Sequence, residues 1–399
     1  MQIKHDLQKQ NKSGWTTFLK DVFICSLGAY GGPEAHYGVF IDQMVVKKKY
    51  LTEEELVELI ALTTILPGPS STQTMVSIGY KVGGPLLAFL TMLVWAAPVL
   101  ILMTLLSFLS GFLGKMNISQ DGLRYIGPMA VGFIIVAAYR IGSKVVRDKT
   151  SFLLLLFGGI TTYFIREPWI YPLVLVLGGI VSIIMEKEDN LWKPIKIKPS
   201  WLYLIVFVSF AIGSLVLSFV FSNRILHLFE SFYRYGYLVI GGGQVVIPLM
   251  HSELVEVNQY MTNQEFLTGY GLVQGLPGPM FSFSAYAGGM AARGAGPLIQ
   301  VLGAMVSGIG IFLPGTLLIY FVYPIWESVR EIKGIRISLK GITAVASGLI
   351  AVASIILMQK SGFALDNIII TFFTVIILLT KKIPAPLIVL ATLGIGFIL

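Results

Sequence analysis

Apolar residues in this chain come in runs of roughly 15 to 27, separated by short clusters of charge. That length suits a helix crossing a bilayer, whereas a membrane-barrel strand needs only ~10 residues of alternating pattern. The runs predict hairpin-like segments over 15–47 and 52–81, spans near 84–110, 122–140, 150–165 and 168–185, and a further helix near 201–221. A second series of similar runs follows. Some runs are interrupted by Gly and Pro at points where a helix crossing a membrane has no evident reason to stop. The clearest case is "TTILPGPSSTQT" (Thr63 to Thr74), where Pro-Gly-Pro is followed by a string of Ser, Thr and Gln.

Composition agrees with the pattern. The 399 residues are 55% hydrophobic and only 13% charged, with mean hydropathy +0.79. A soluble domain of that make-up would expose far too much apolar surface. The expected fold class is therefore an all-α integral membrane protein. Residues 1–14 are polar and lack an apolar core of the signal-peptide kind, which predicts a cytoplasmic N-terminus and no cleaved leader. The net charge of +8 has a topological explanation, given below, so nucleic acid is not an expected partner. Cys25 is alone, which excludes an internal disulfide and argues against a thiolate metal site. No cofactor or metal is expected.

The second series repeats the first. Pro67-Gly68-Pro69 recurs as Pro277-Gly278-Pro279, an offset of 210. At the same offset "GGPEAH" faces "GGGQVV", Leu51-Thr52 faces Met261-Thr262, and Glu55 faces Glu265. This predicts a tail over 1–14, one repeat over 15–186, a basic linker with a connecting helix over 187–229, and a second repeat over 230–399. If the breaks are tips of re-entrant hairpins, 22 of the 29 Lys and Arg fall on the cytoplasmic side and 7 outside, as the positive-inside rule requires. The second repeat then enters from the opposite face, and its "MHSELVEVNQY" is an outward loop without Lys or Arg. Reading 59–80 as one kinked span instead lowers the bias to 19 against 10. The hairpin reading makes two inverted homologous halves whose broken helices meet near the midplane, where transporters of that design hold their substrate.

Gly just past a helix end and Pro at a helix start make Gly68-Pro69 a stop and a restart, with a new helix expected from Pro69. Its free amides face the membrane interior, where unsatisfied donors are tolerated only around a polar cavity. Helix N-termini attract anions, and Ser70, Ser71 and Gln73 add neutral donors. Gly31, Gly32 and Pro33 repeat the device beside Glu34 and His36. From the second half come Gly242, Gly243, Gln244, Pro277, Gly278, Pro279 and Ser282, with Ser284 nearby. The expected cage holds one oxyanion and contains no Lys or Arg, Lys81 and Arg293 lying at segment ends. Glu34 would have to be protonated or turned away when a dianion binds.

The stretches "AYGGPEAHYGVF", "LPGPSSTQ", "GGGQVVIPLM" and "GLVQGLPGPMFSFSAYAGG" resemble the paired signatures of the chromate ion transporter family, in its long form with two fused halves. Tyr30 stands where that family commonly has Phe, and Glu34 falls at a position expected to vary. The resemblance implies export of chromate, with sulfate as a similar oxyanion, from a plasma membrane protein that is not an enzyme. It places the site on Gly31 to Pro33 and His36, on Pro67 to Ser71 and Gln73, and on Gly241 to Gln244 and Pro277 to Pro279. Expected partners are the oxyanion and the bilayer, and a homodimer is left open. An anion channel, or a transporter of a phosphorylated lipid or another oxyanion, would share the same donors.

Overall fold

The computed structural model describes residues 2–109, 111–112, 121–186, 191–192, 199–240 and 243–398. Among them every regular element is a helix. Four helices open the chain: α1 (Gln2–Gly28), α2 (Pro33–Phe40), α3 (Glu53–Ile65) and α4 (Ser70–Leu106). Then come α5 (Ile126–Val145), α6 (Lys149–Phe164), α7 (Ile170–Ile184) and the connecting α8 (Trp201–Val220). The second series is α9 (Arg224–Leu238), α10 (Ile247–His251), α11 (Asn263–Gln274), α12 (Phe283–Ala292), α13 (Pro297–Val322), α14 (Lys333–Ser361), α15 (Leu365–Thr380) and α16 (Ala385–Ile398). Five helical stretches are long and apolar enough to cross a membrane, and four shorter apolar helices accompany them. The chain is a multi-pass membrane protein. Most of the basic linker, at 187–190 and 193–198, lies outside the described residues.

Local chemistry repeats along with the order. Thr52 and Thr262 cap α3 and α11 in the same way: each hydroxyl accepts from the Glu amide three residues on, at 3.2 Å, and that Glu side chain accepts from the Thr amide. This capping box satisfies two orphan donors at once. The acidic run at Glu53 to Glu55 is thus a helix start. α2 and α10 each continue into a π-helical segment, Ile41–Lys47 and Ser252–Val257. Both segments end on a left-handed residue, Lys49 and Gln259. "MHSELVEVNQY", expected as a loop, is therefore largely helical, and its Glu253 is buried.

Ion pairs show which ends share a side. Lys48 Nζ lies 2.9 Å from Asp21, and the Tyr50 hydroxyl donates to the same carboxylate at 2.7 Å. The chain from α1 through α2 has therefore returned to its starting level, which makes it a hairpin and not a full span. Lys81 closes the second hairpin on Glu55 at 2.5 Å. In the second series Arg224 stacks over Tyr260 and Arg293 pairs with Glu265. α14 carries Lys340, paired with Asp148 in the α5–α6 loop, and Lys360, near Glu256 of the second-series hairpin. Twenty residues of helix separate those two lysines by about 30 Å. Arg330 joins Glu58 on the Lys340 side, and Arg166 joins Glu256 on the other. The hairpins of the two halves thus open to opposite faces, so the halves are inverted.

Close backbone approach holds the spans. A Cβ on Gly348 of α14 would lie 2.1 Å from the Leu155 carbonyl of α6, and one on Gly341 would lie 2.2 Å from the Gly178 carbonyl of α7. Small residues of this kind let membrane helices pack where lipid supplies no hydrophobic drive. α4 is 37 residues long, about 55 Å if straight, but Gly83 and Gly84 leave helical geometry and divide it into a half-length arm and a full span.

Candidate functional site

The four breaks lie between α1 and α2, α3 and α4, α9 and α10, and α11 and α12. Gly31 and Gly32 both take positive φ, +82 and +90, and Gly32 caps α2 with Pro33 at its first turn. His36 follows one turn later, 1% exposed. Its Nδ1 lies 3.1 Å from Ser71 Oγ, its ring meets Trp95 edge-on, and its Nε2 has no partner. The Glu34 side chain lies outside the described residues. At the second break Pro69 is the cap, and α4 starts at Ser70, one residue later than expected, because Pro69 keeps an extended ψ of 97°.

The hydroxyls after that break divide. Ser71 binds His36, and Thr72 accepts from the Trp95 indole at 3.2 Å. Thr74 donates to the Ser70 carbonyl one turn back, a local use, and its hydroxyl also meets that of Thr63 on α3 at 2.9 Å. Ser70 is half-buried at the helix start. Gln73 donates from Nε2 to the Pro67 carbonyl at 2.8 Å and approaches the Gly315 carbonyl of α13 at 3.4 Å. Its amide nitrogen is therefore spent on holding the loop, and its buried Oε1, an acceptor, has no partner.

The second half builds its breaks more tightly. Gly242, with Gly241, lies outside the described residues. Gly243 opens a 3₁₀ turn to Val246, and Gln244 Nε2 reaches Met280 Sδ at 3.8 Å. After Pro277 and Gly278, Pro279 caps another 3₁₀ turn, Met280–Ser282, before α12. That turn consumes the Ser282 amide, which donates to the Pro279 carbonyl at 2.9 Å. The free helix amides expected at both repeats therefore belong mainly to α2 and α4. Ser282 and Ser284 are fully buried, and their hydroxyls have no partners.

Two backbone bonds cross between the halves. The Gly68 amide donates to the Val239 carbonyl at 2.8 Å, and the Gly278 amide donates to the Ala29 carbonyl at 2.7 Å. With His36–Ser71 inside one half and Gln244–Met280 inside the other, they link all four breaks into a closed ring. The amides of Gly68 and Gly278 are committed to this ring and are not free donors. A cavity of about 340 Å³ opens on the Arg293 side, lined by Arg124, Gln264, Glu265 and Thr268. The ring residues do not line it.

One group of residues was missed. Arg234 lies about 6 Å along α9 from its last residue, Leu238, and is half-buried. Its guanidinium is held by Glu230 on the same helix, at 2.7 and 3.1 Å, and by Glu253 on the π segment, at 2.9 and 3.1 Å. The i, i+4 spacing of Glu230 and Arg234 within "LFESFYRYGYLV" was the available signal; the Glu253 contact is tertiary and has none.

Comparison with known proteins bears on this architecture. Residues 16–183 and 226–397 each match the chromate transporter family, so the matched regions coincide with the two inverted series. A probable chromate transport protein of Synechococcus elongatus is 26% identical over 92% of this chain and 91% of its own length. A chromate transport protein of Pseudomonas aeruginosa is 26% identical over 79% and 74%. An uncharacterized transporter of Methanocaldococcus jannaschii is 22% identical over 98% and 96%. No solved structure matches. With both halves covered, the chain belongs to the chromate transporter family, a family of transporters and not of enzymes.

Proposed function

We propose that this protein moves chromate, and sulfate-like oxyanions, out of the cytoplasm, with the anion held at the ring of four breaks. The N-terminus is cytoplasmic in this reading, and the membrane is the plasma membrane. The observation that carries the site is the set of buried donor-capable groups without partners beside the breaks: His36 Nε2, Ser282 Oγ and Ser284 Oγ. Buried polar groups of this kind ordinarily find a partner, and an oxyanion supplies acceptors. The first-turn amides of α4 add donors where the helix dipole favours negative charge. Gly31, Gly32, Pro33, Pro67, Gly68, Pro69, Gly278 and Pro279 shape the backbone, and Gln73 braces it.

Direction follows from charge. A dianion leaving a cell that is negative inside gains about 2.3 kcal/mol per charge per 100 mV, about 4.6 kcal/mol in all. The basic residues on the Lys340 side concentrate the anion at that entrance. The test is chromate accumulation in everted membrane vesicles under an imposed interior-positive potential, with sulfate as competitor. Protein-dependent accumulation that sulfate reduces is the expected result. No accumulation under any gradient, with the protein shown to be inserted, would overturn the reading.

A further inference from the structure

Each half runs one stripe of side chains from a membrane face down to its Pro-Gly-Pro break. On α11 the stripe is Gln264, Thr268 and Leu272, one turn apart; on α3 the matching positions, at the offset of 210, are Glu54, Glu58 and Leu62. Both stripes start beside equivalent ion pairs, Arg293 with Glu265 and Lys81 with Glu55. Both end at the break: the Leu272 carbonyl accepts from the Gly275 amide at 3.0 Å, and the Leu62 carbonyl accepts from the Leu66 amide at 3.2 Å. One plan thus serves both faces, but the two faces are not in the same state.

Along α11 the stripe lines the cavity of about 340 Å³, with Arg124 and Leu106 among the residues facing it. Gln264 is exposed and Leu272 is buried, so the cavity descends about 12 Å from mouth to floor. It has room for an oxyanion and several waters, and its floor is bonded directly to the chain entering the break. Along α3 the corresponding space is closed by contacts between the halves, and Leu62 is fully buried. Arg330, just before α14, pairs with Glu58. The Tyr323 ring, beside the Lys81–Glu55 pair, packs on Tyr80 with centroids 4.8 Å apart, and Tyr320 packs on Tyr80 at 5.6 Å. The α11 face lacks both devices. Thr268 stands where Glu58 does, so Arg124, which precedes α5 as Arg330 precedes α14, turns to Asp366 of α15. Leu106 stands at the end of α4, whereas α13 runs out into tyrosines.

We propose that the cavity along α11 is the exit from the oxyanion site, and that Glu58–Arg330 with Tyr80–Tyr323 is the gate over the matching entrance along α3. The structure is then the outward-facing state. An exposed ion pair is weak, which suits a contact that must break in every cycle, and packed rings keep water out of the closed path. The Gly68–Val239 and Gly278–Ala29 bonds tie the hairpins of the two halves together, so opening along α3 is coupled to closing along α11. This inference rests on the transport reading above and assigns the route by which that site is reached.

Cys25 is the single cysteine and is buried, so in a C25A background one introduced thiol reports alone. L272C places it on the cavity floor, and L62C places it at the matching point under the gate. A membrane-impermeant maleimide is added to intact cells to reach the Arg293 side, or to everted vesicles to reach the Lys340 side. L272C is expected to be labelled in cells, and L62C to react in everted vesicles at least ~10-fold more slowly. E58Q is expected to speed L62C and to slow L272C by about 2–5-fold. E58R with R330E, which restores the pair with its charges exchanged, should return both rates to their starting values. Should L62C fail to fold, L272C reads the same shift, and T268C stands in for L272C. An unlabelled cavity floor would overturn the exit, and unchanged rates in E58Q would overturn the gate. Labelling needs no substrate, so a failure of chromate accumulation would overturn the transport reading separately.

Discussion

The Gly68 amide is hydrogen-bonded to the Val239 carbonyl at 2.8 Å, and 210 positions along each chain segment Gly278 makes the same bond to Ala29 at 2.7 Å. Each Pro-Gly-Pro break is thus tied to the end of the first broken helix of the opposite half. The exchange is reciprocal, as an inverted repeat requires, and it makes the two halves one object at their centre. Neither break can change shape without displacing a helix end from the other half.

Replacing Gly68 with Ala tests that interlock. Gly68 has φ +132, and an added Cβ would lie 2.5 Å from Gln73 Nε2 and 3.1 Å from Gly315 Cα. Strain of this kind costs about 1–3 kcal/mol. G68A is expected to lower the melting temperature of the purified protein and to abolish chromate accumulation in vesicles. G278A, with φ +109 and Val99 at 2.9 Å, should do the same, and full activity in both variants would show that the breaks tolerate ordinary backbone.

His36 is the buried side chain whose removal best separates binding from stability. H36A leaves the Ser71 hydroxyl without its imidazole partner, a loss of about 1–3 kcal/mol. Under the proposed site, transport is expected to fall at least ~10-fold, since a buried group assigned to the oxyanion is lost as well. Unchanged flux alongside a lowered melting temperature would make His36 a packing residue.

Helix packing away from the site has its own test. G348A places a methyl 2.1 Å from the Leu155 carbonyl, so α6 and α14 must move apart. Overpacking of this kind costs about 1–3 kcal/mol. Thermal unfolding should register that loss, whereas G394A, whose added Cβ meets nothing within 4 Å, should leave the melting temperature unchanged.

Asp148, in the α5–α6 loop, predicts a pH dependence. Its bond to the Lys340 ammonium, and then those to Ser151, hold its carboxyl down at about 2, below the ordinary carboxylate range. A depressed value means that the folded state prefers the charged form. Its contribution is therefore complete above about pH 4 and fades as the pH falls toward 2. Removing the helix cap in D148A costs about 0.5–2 kcal/mol at neutral pH. The melting-temperature gap between D148A and the unaltered protein should narrow on acidification, and a constant gap would show that the charge is irrelevant.

Much was legible in the linear chain because membranes impose strict rules. Run length and composition determined an all-helical membrane protein, since every backbone group in lipid must be satisfied within its own segment. The offset of 210 determined the repeat, and the distribution of Lys and Arg determined its inversion, because orientation responds to charge near the ends of spans. Pro and Gly marked the breaks to within one residue through their effects on local backbone.

Tertiary structure alone decided which donors are free. Gly68 and Gly278 looked alike as anion-facing amides, but each is consumed by a carbonyl from the other half, a partner that no local pattern could name. The second-half breaks tighten into 3₁₀ turns where the first-half breaks do not. The second carboxylate on the half-buried Arg234 was hidden for the same reason. Its i, i+4 partner Glu230 makes an ordinary helix pair, and only the fold brings Glu253 across to the same guanidinium.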